Sequence, residues 1–211
     1  MRVGLISDAH ANVFALRAVI DDLRDAGVDE ILFAGDAIGY HRFVNETVDL
    51  LRASRVHGVR GNHEAMLFGD LPATGEARRQ YALDYTAQVI RADNREWLQA
   101  LPASLEITLD GVRFALFHGS PWEPLSEYVY PDYSTFDRFA ALPAGIVVLG
   151  HTHRQLQRTI GDVEIVNPGS VGLPRDGDDR ASYALVDTTT GAIVHGRTSY
   201  DRGALVGRPE A

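Results

Sequence analysis

Apolar runs of four to six residues, each stopping at a cluster of Asp, Asn or His, restrict this chain more than any other feature. Residues 3–6 end at Ser7 and Asp8, with His10 just beyond. Residues 31–34 end at Gly35 and Asp36, and the weaker run 56–59 precedes Gly61, Asn62 and His63. Residues 112–117 end at His118, and 146–149 end at Gly150, His151 and His153. Apolar runs this short read as buried strands. Two amphipathic helices lie between the first three. Leu16, Val19, Ile20 and Leu23 fall on one helical face closed by Gly27, and a second helix covers 44–51. The chain therefore begins β-α-β-α-β, the pattern of a right-handed parallel unit.

The second half reads differently. Residues 105–109 and 112–117 form a hairpin across Asp110-Gly111, and 164–166, 182–186 and 192–197 are strands joined by turns. Residues 74–101 are helix formers and make either a cap over the mouth of a site or a packed layer. Residues 120–139 form an irregular aromatic loop with Trp122, Tyr128, Tyr130, Tyr133, Phe136 and Phe139. Such a loop can stack a nucleobase, pack as a lid, or join copies of the chain in a homo-oligomer. Beyond about Tyr200 the chain is expected to fray. The pattern predicts one α+β domain over residues 1–211, with two sheets facing each other and helices outside.

Charge and composition remove several function classes. Lys plus Arg number 20 against 29 Asp plus Glu, a formal net charge of −9. That balance argues against stable nucleic-acid binding and against an anionic membrane partner. It leaves room for a small phosphate ligand where bound metals invert the local field. Cysteine is absent, so thiolate metal sites and cysteine nucleophiles are excluded, and the eight histidines become the donors for any transition metal. No apolar run approaches the ~20 residues of a membrane span, and the N-terminus is too soon polar for a signal peptide. The expected compartment is the cytoplasm.

In open α/β sheets, ligands bind at the carboxyl ends of strands, where all five polar clusters fall. In Asp8-Ala9-His10 and His151-Thr152-His153 the two donors are one residue apart. An extended backbone puts side chains i and i+2 on one side, so each pair is expected to aim at one place. Imidazole with carboxylate suits Zn, Fe, Mn or Co better than Ca or Mg. Asp8, His10, Asp36, Asn62, His118, His151 and His153 are too many donors for one metal with open positions. They suit two metals about 3.5–4 Å apart sharing a carboxylate, a clamp used on phosphate esters.

These motifs, in this order, resemble those of the calcineurin-like metallophosphoesterases. They are Asp8-Ala9-His10, Gly35-Asp36, Gly61-Asn62-His63-Glu64, Phe117-His118-Gly119 and Gly150-His151-Thr152-His153. The stretch Asn167-Pro168-Gly169-Ser170-Val171-Gly172 extends the likeness to the small prokaryotic, phosphodiesterase-type branch. The resemblance implies a four-layer α/β/β/α sandwich of two mixed sheets. It implies two divalent transition-metal ions (Mn, Fe, Zn, Ni or Co), one held by Asp8, His10 and His153, the other by Asn62, His118 and His151, with Asp36 bridging. A metal-bound hydroxide would attack phosphorus, and His63 would be the catalytic residue that protonates the leaving oxygen. With two carboxylates and the hydroxide, such a site carries about +1.

One departure narrows the substrate. Protein Ser/Thr phosphatases of this family continue the bridging-Asp motif with Asp-Arg-Gly, whereas this chain reads Gly35-Asp36-Ala37-Ile38-Gly39-Tyr40. That favours a small phosphodiester or nucleotide, with Tyr40, His41 and Arg175 as candidate substrate contacts. For Arg175 the competing role is a turn salt bridge with Asp176. His57 and His195 read as packed or surface residues. The alternatives are a dinucleoside polyphosphate hydrolase and a non-catalytic protein-binding scaffold of the same fold, members of which lose donors that are all present here.

Overall fold

The computed structural model describes residues 1–206 as ten strands and six α-helices with two short 3-10 turns. The strands are β1 (Arg2–Ile6), β2 (Glu30–Phe33), β3 (His57–Gly58), β4 (Ser104–Leu109), β5 (Val112–Phe117), β6 (Ile146–Val148), β7 (Gln155–Ile160), β8 (Val163–Pro168), β9 (Ala181–Asp187) and β10 (Ala192–Thr198). The helices are α1 (Val13–Asp25), α2 (Val44–Ala53), α3 (Asn62–Phe68), α4 (Gly75–Gln80), α5 (Leu83–Val89) and α6 (Ala92–Ala100).

They build two mixed five-stranded sheets, ordered β10-β9-β1-β2-β3 and β4-β5-β6-β8-β7. In the first, β1, β2 and β3 are parallel and β9 and β10 antiparallel. In the second, β5, β6 and β8 are parallel and the edges β4 and β7 antiparallel. Val3, Leu5 and Leu32 of the first sheet, with Val59 just past β3, meet Phe114, Leu116, Ile146 and Val148 of the second, so the inner faces bury each other. The outer face of the first sheet is covered by α1 through Leu16, Val19, Ile20 and Leu23, and by α2 through Val44, Val48 and Leu51. The outer face of the second packs Ala115, Val147, Leu149 and Ile165 against Phe136 and Phe139, whose 3-10 turn covers Phe136–Ala141. Each sheet thus has one face on the shared core and one under a helical or looped layer.

Several elements differ in detail from the sequence expectation. Only His57 and Gly58 of the run 56–59 pair as a strand. The strand β7 went unforeseen, because it is a polar edge strand with only Leu156 buried. Segment 74–101 breaks into α4, α5 and α6, and Leu98 and Trp97 pack it into the core layer of α1 and α2. Asp110 and Gly111 both take positive φ, 48° and 81°, as a two-residue hairpin turn requires. Of the end expected to fray, Gly203–Val206 forms a 3-10 turn, and residues 207–211 lie outside the described part. Among the described residues no helix is long and apolar enough to cross a membrane.

Candidate metal centre

The parallel strands β1, β2, β5 and β6 deliver their C-terminal ends to one place, and the polar clusters meet there. Asp8, His10 and His118 are fully buried, and Asp36, Asn62, His63, His151 and His153 nearly so. His10 Nε2 lies 2.9 Å from His153 Nε2 and 3.7 Å from Asp8 Oδ1. His118 Nε2 lies 2.9 Å from Asn62 Oδ1 and 3.1 Å from His151 Nδ1. Asp36 Oδ2 stands between these groups, 3.4 Å from His118 Nε2, 3.7 Å from His63 Nε2 and 3.9 Å from His10 Nε2.

The local backbone is what aims these side chains. Asp8, His10, Asp36, His151 and His153 all have φ between 49° and 67°, a region uncommon for any residue but glycine. The pairs one residue apart were expected to converge along extended backbone. Asp8 and His10 do converge, but through left-handed turns. His151 and His153 part instead, along the division that the resemblance implies: His151 joins Asn62 and His118, while His153 joins Asp8 and His10. Backbone strain of this kind collects at functional sites and is held there by surrounding structure. Here Val171 and Gly172 donate to the carbonyls of Ser7 and Asp8, and Ser170 Oγ donates to Asp8 O at 2.8 Å. The Asn167–Gly172 stretch therefore ties the ends of the two sheets together at the centre. Two glycines allow close approach. A Cβ on Gly61 would fall 2.1 Å from Asp36 Oδ1, and one on Gly150 would fall 2.2 Å from Ser7 Oγ.

The hydrogen bonds show what the cluster fits. His10 Nδ1 donates to Ile38 O, His118 Nδ1 to Ala34 O, His153 Nδ1 to Leu173 O and His151 Nε2 to Ser126 O, at 3.1, 2.8, 2.6 and 3.3 Å. A carbonyl can only accept, so each of these nitrogens carries the proton. The other nitrogen of each ring faces the centre and presents a lone pair wherever the ring is neutral. Three neutral imidazoles, Asp8 Oδ1, Asp36 Oδ2 and the Asn62 amide oxygen face one another there as acceptors, and Asp36 draws the fourth ring, His118, towards its charged form. Asp8 Oδ1, buried, has no hydrogen-bond partner at all. Donor separations of 2.9–3.9 Å overlap the roughly 2.9–3.4 Å between ligand atoms around an ion with bonds of about 2.0–2.1 Å. Three triads of titratable donors are close enough to hold an ion: Asp8 with His10 and His153, Asp8 with Asp36 and His118, and His10 with Asp36 and His63.

The electrostatics divide the donors into neutral and charged groups. Burial lowers His151 and His153 to about 3 and pushes His10 well down, which keeps these rings neutral. Burial lifts Asp8 to about 7. Against the opposing effect of burial, His118 and His63 hold Asp36 well below the usual carboxylate range, and Asp36 in turn raises His118 to about 9.

Glu64, which follows His63 in the Gly61-Asn62-His63-Glu64 motif, is central to this arrangement. It is the third residue of α3, fully buried, and its carboxylate accepts from the backbone N–H of Gly61, Asp36 and Ile38 at 2.7, 3.1 and 3.1 Å. Glu three residues after a helix start is a capping signal, which could have found it. Glu64→Ala leaves three buried N–H groups without partners. We expect it to lower unfolding free energy by about 3 kcal/mol in urea titrations. A loss under about 1 kcal/mol would show that the loop is held by other contacts.

A cleft of about 70 Å³ opens onto the centre, lined by Tyr40, Gln80, Tyr81, Tyr128 and Arg175 together with His63 and its neighbours. Arg175 Nη2 donates to the Tyr40 hydroxyl at 2.7 Å, and its backbone N–H bonds His153 O at 3.0 Å. Asp176 pairs with Arg197 rather than with Arg175. Tyr81 lies over the His63 ring at 4.4 Å. His41 does not line the cleft, and its Nε2 is buried without a partner. His57 pairs with Glu30, and His195 sits on β10, away from the centre.

The calcineurin-like phosphoesterase superfamily domain matches residues 1–191. An uncharacterised protein of Methanocaldococcus jannaschii is 32% identical across 94% of this chain and 88% of its own. A phosphodiesterase of the same organism is 22% identical across 84% of this chain and 91% of its own. The crystal structure of a metallophosphoesterase from Sphaerobacter thermophilus superposes with a TM-score of 0.82 at 33% identity, covering 97% of this chain and 91% of that one.

Proposed function

Because the chain belongs to the calcineurin-like phosphoesterase superfamily, we propose that it is a metal-dependent hydrolase of a small phosphodiester or nucleotide. The observation that carries this reading is Asp36 Oδ2, a single carboxylate oxygen within 3.4 Å of His118 and 3.9 Å of His10, and so shared by two donor groups. In this reading Asp8, His10 and His153 hold one divalent ion. Asn62, His118 and His151 hold the other, and Asp36 serves both. Two such ions, when bound, supply positive charge to phosphoryl oxygens and make water acidic enough to lose a proton near neutral pH.

The chain's own residues do the rest. The carbonyls of Ile38, Ala34, Leu173 and Ser126 fix the imidazole tautomers, an orientation that supports metal affinity. His63 reaches the centre beside Asp36 but stands outside the His10–His153 and His118–His151 contacts, where it can hand a proton to the leaving oxygen. Arg175, steadied by Tyr40, offers positive charge at the mouth. The narrow tyrosine-lined cleft favours a small ester over a folded protein substrate.

Metal removal tests this directly. Chelated protein should be silent towards bis-p-nitrophenyl phosphate, and added Mn²⁺ should restore hydrolysis and raise the melting temperature together. Stabilisation by Mn²⁺ without hydrolysis of mono-, di- or polyphosphate esters would replace the enzyme with a metal-bound scaffold. Equal activity with and without metal would overturn the metal-dependent reading.

A further inference from the structure

We propose that Tyr128 and Tyr130 form a stacking platform for the base of a nucleotide whose phosphate lies at the metal centre. The proposal rests on the reading of the cleft as a phosphoryl site. Most of the aromatic loop has an ordinary structural task, with Phe136 and Phe139 buried and Trp122 and Tyr133 packed against them. Tyr128 and Tyr130 do the opposite. They are 44% and 37% exposed, among the few large apolar side chains left in water among the described residues. Val129 between them is buried, so the alternation of the segment itself sends both rings outward.

Their rings are parallel within 3°, with centroids 5.5 Å apart. Tyr128 also lies face to face with His151, centroids 3.8 Å apart. An aromatic series therefore leads from His151 through Tyr128, both of which line the cleft, out to Tyr130 beyond its rim. Arg175 and Tyr40 also line that cleft, so the phosphate and the ring of one ligand have separate places to go.

The platform is held in advance of any ligand. Glu127 accepts from Ser120 Oγ and from the Tyr133 hydroxyl, and Gly119 N–H bonds Pro124 O. Preorganised aromatic faces bind planar rings with little further ordering, and a nucleobase offers such a ring whatever its sequence identity. With a chain charge of −9, the ligand is a free nucleotide rather than a nucleic-acid strand.

The test is calorimetric titration of the Mn²⁺-loaded protein with adenosine 5′-monophosphate and with ribose 5-phosphate, which differ only in the base. The wild-type chain should bind the nucleotide roughly tenfold more tightly. Tyr128→Leu should bring the two affinities within about twofold by weakening the nucleotide alone, and Tyr128→Trp should keep the preference. Equal affinities in the wild type, or no binding of either ligand, would overturn the platform. So would a Tyr128→Leu protein that weakens on both ligands alike, since Tyr128 would then act through His151. Hydrolysis of bis-p-nitrophenyl phosphate is read separately. A silent enzyme with an intact base preference removes the hydrolase and keeps the platform.

Discussion

Asp36→Asn should lower kcat/KM on bis-p-nitrophenyl phosphate by roughly a thousandfold, about 4 kcal/mol of transition-state stabilisation. The substitution keeps the shape, and the amide oxygen can still accept from His63 N–H, which Asp36 Oδ1 does at 2.9 Å. What disappears is the negative charge at Oδ2, the atom that faces His118, His63 and His10 together. A neutral amide there would offset less of the charge of the two divalent ions proposed above, so metal content should fall alongside activity. Metal analysis after gel filtration makes the distinction. A variant that keeps its full metal complement and its activity would show that Asp36 is not the shared ligand.

His63→Ala should reduce turnover by about 10²–10⁴ while leaving the metal content unchanged. His63 is nearly buried, its Nε2 lies 3.7 Å from Asp36 Oδ2, and its Nδ1 is without a partner. Its position is set by its neighbours. Tyr81 covers one face of the ring, and Gly39, at φ 99°, comes so near that a Cβ there would fall 2.0 Å from Nδ1. A group that protonates the leaving oxygen matters most when the leaving group is a poor one. The deficit should therefore be largest on a diester with an alkyl leaving group and smaller on one that expels p-nitrophenolate. An equal deficit on both, accompanied by loss of metal, would make His63 a ligand. In that case His63 would bind with His10 and Asp36, which lie close enough to share an ion with it.

The reach of the sequence differs from element to element. The strands β1, β2, β5 and β6 were legible because each holds a short apolar stretch buried on both faces, and such stretches need no partner to be noticed. The edge strand β7 was not, since Gln157, Arg158 and Thr159 face water and only pairing with β8 makes it a strand. The helices α1 and α2 were legible from their apolar faces, whereas α4, with no buried residue, gave no boundary. In the candidate site, the identity and order of the donors could be read from the chain. The role of Glu64 was obscured because its partners, Asp36 and Ile38, lie 28 and 26 residues away. The contact of Arg175 with Tyr40 crosses 135 residues, and nothing local to either residue points to the other.

By itself the sequence determined which donors exist, that they fall at strand ends, and that the chain starts as a parallel β-α-β unit. Those properties depend on side-chain chemistry and on periodicities of two and 3.6 residues, which are local. The family resemblance already implied that His151 and His153, one residue apart, serve different groups of donors with Asp36 between them; only the tertiary structure decided that left-handed turns rather than extended backbone part them. It decided too that two tyrosines of a loop otherwise packed inward lie open beside His151. These facts depend on how the two sheets stack and on left-handed turns held by the Asn167–Gly172 stretch, and both arise from contacts between segments far apart in the chain.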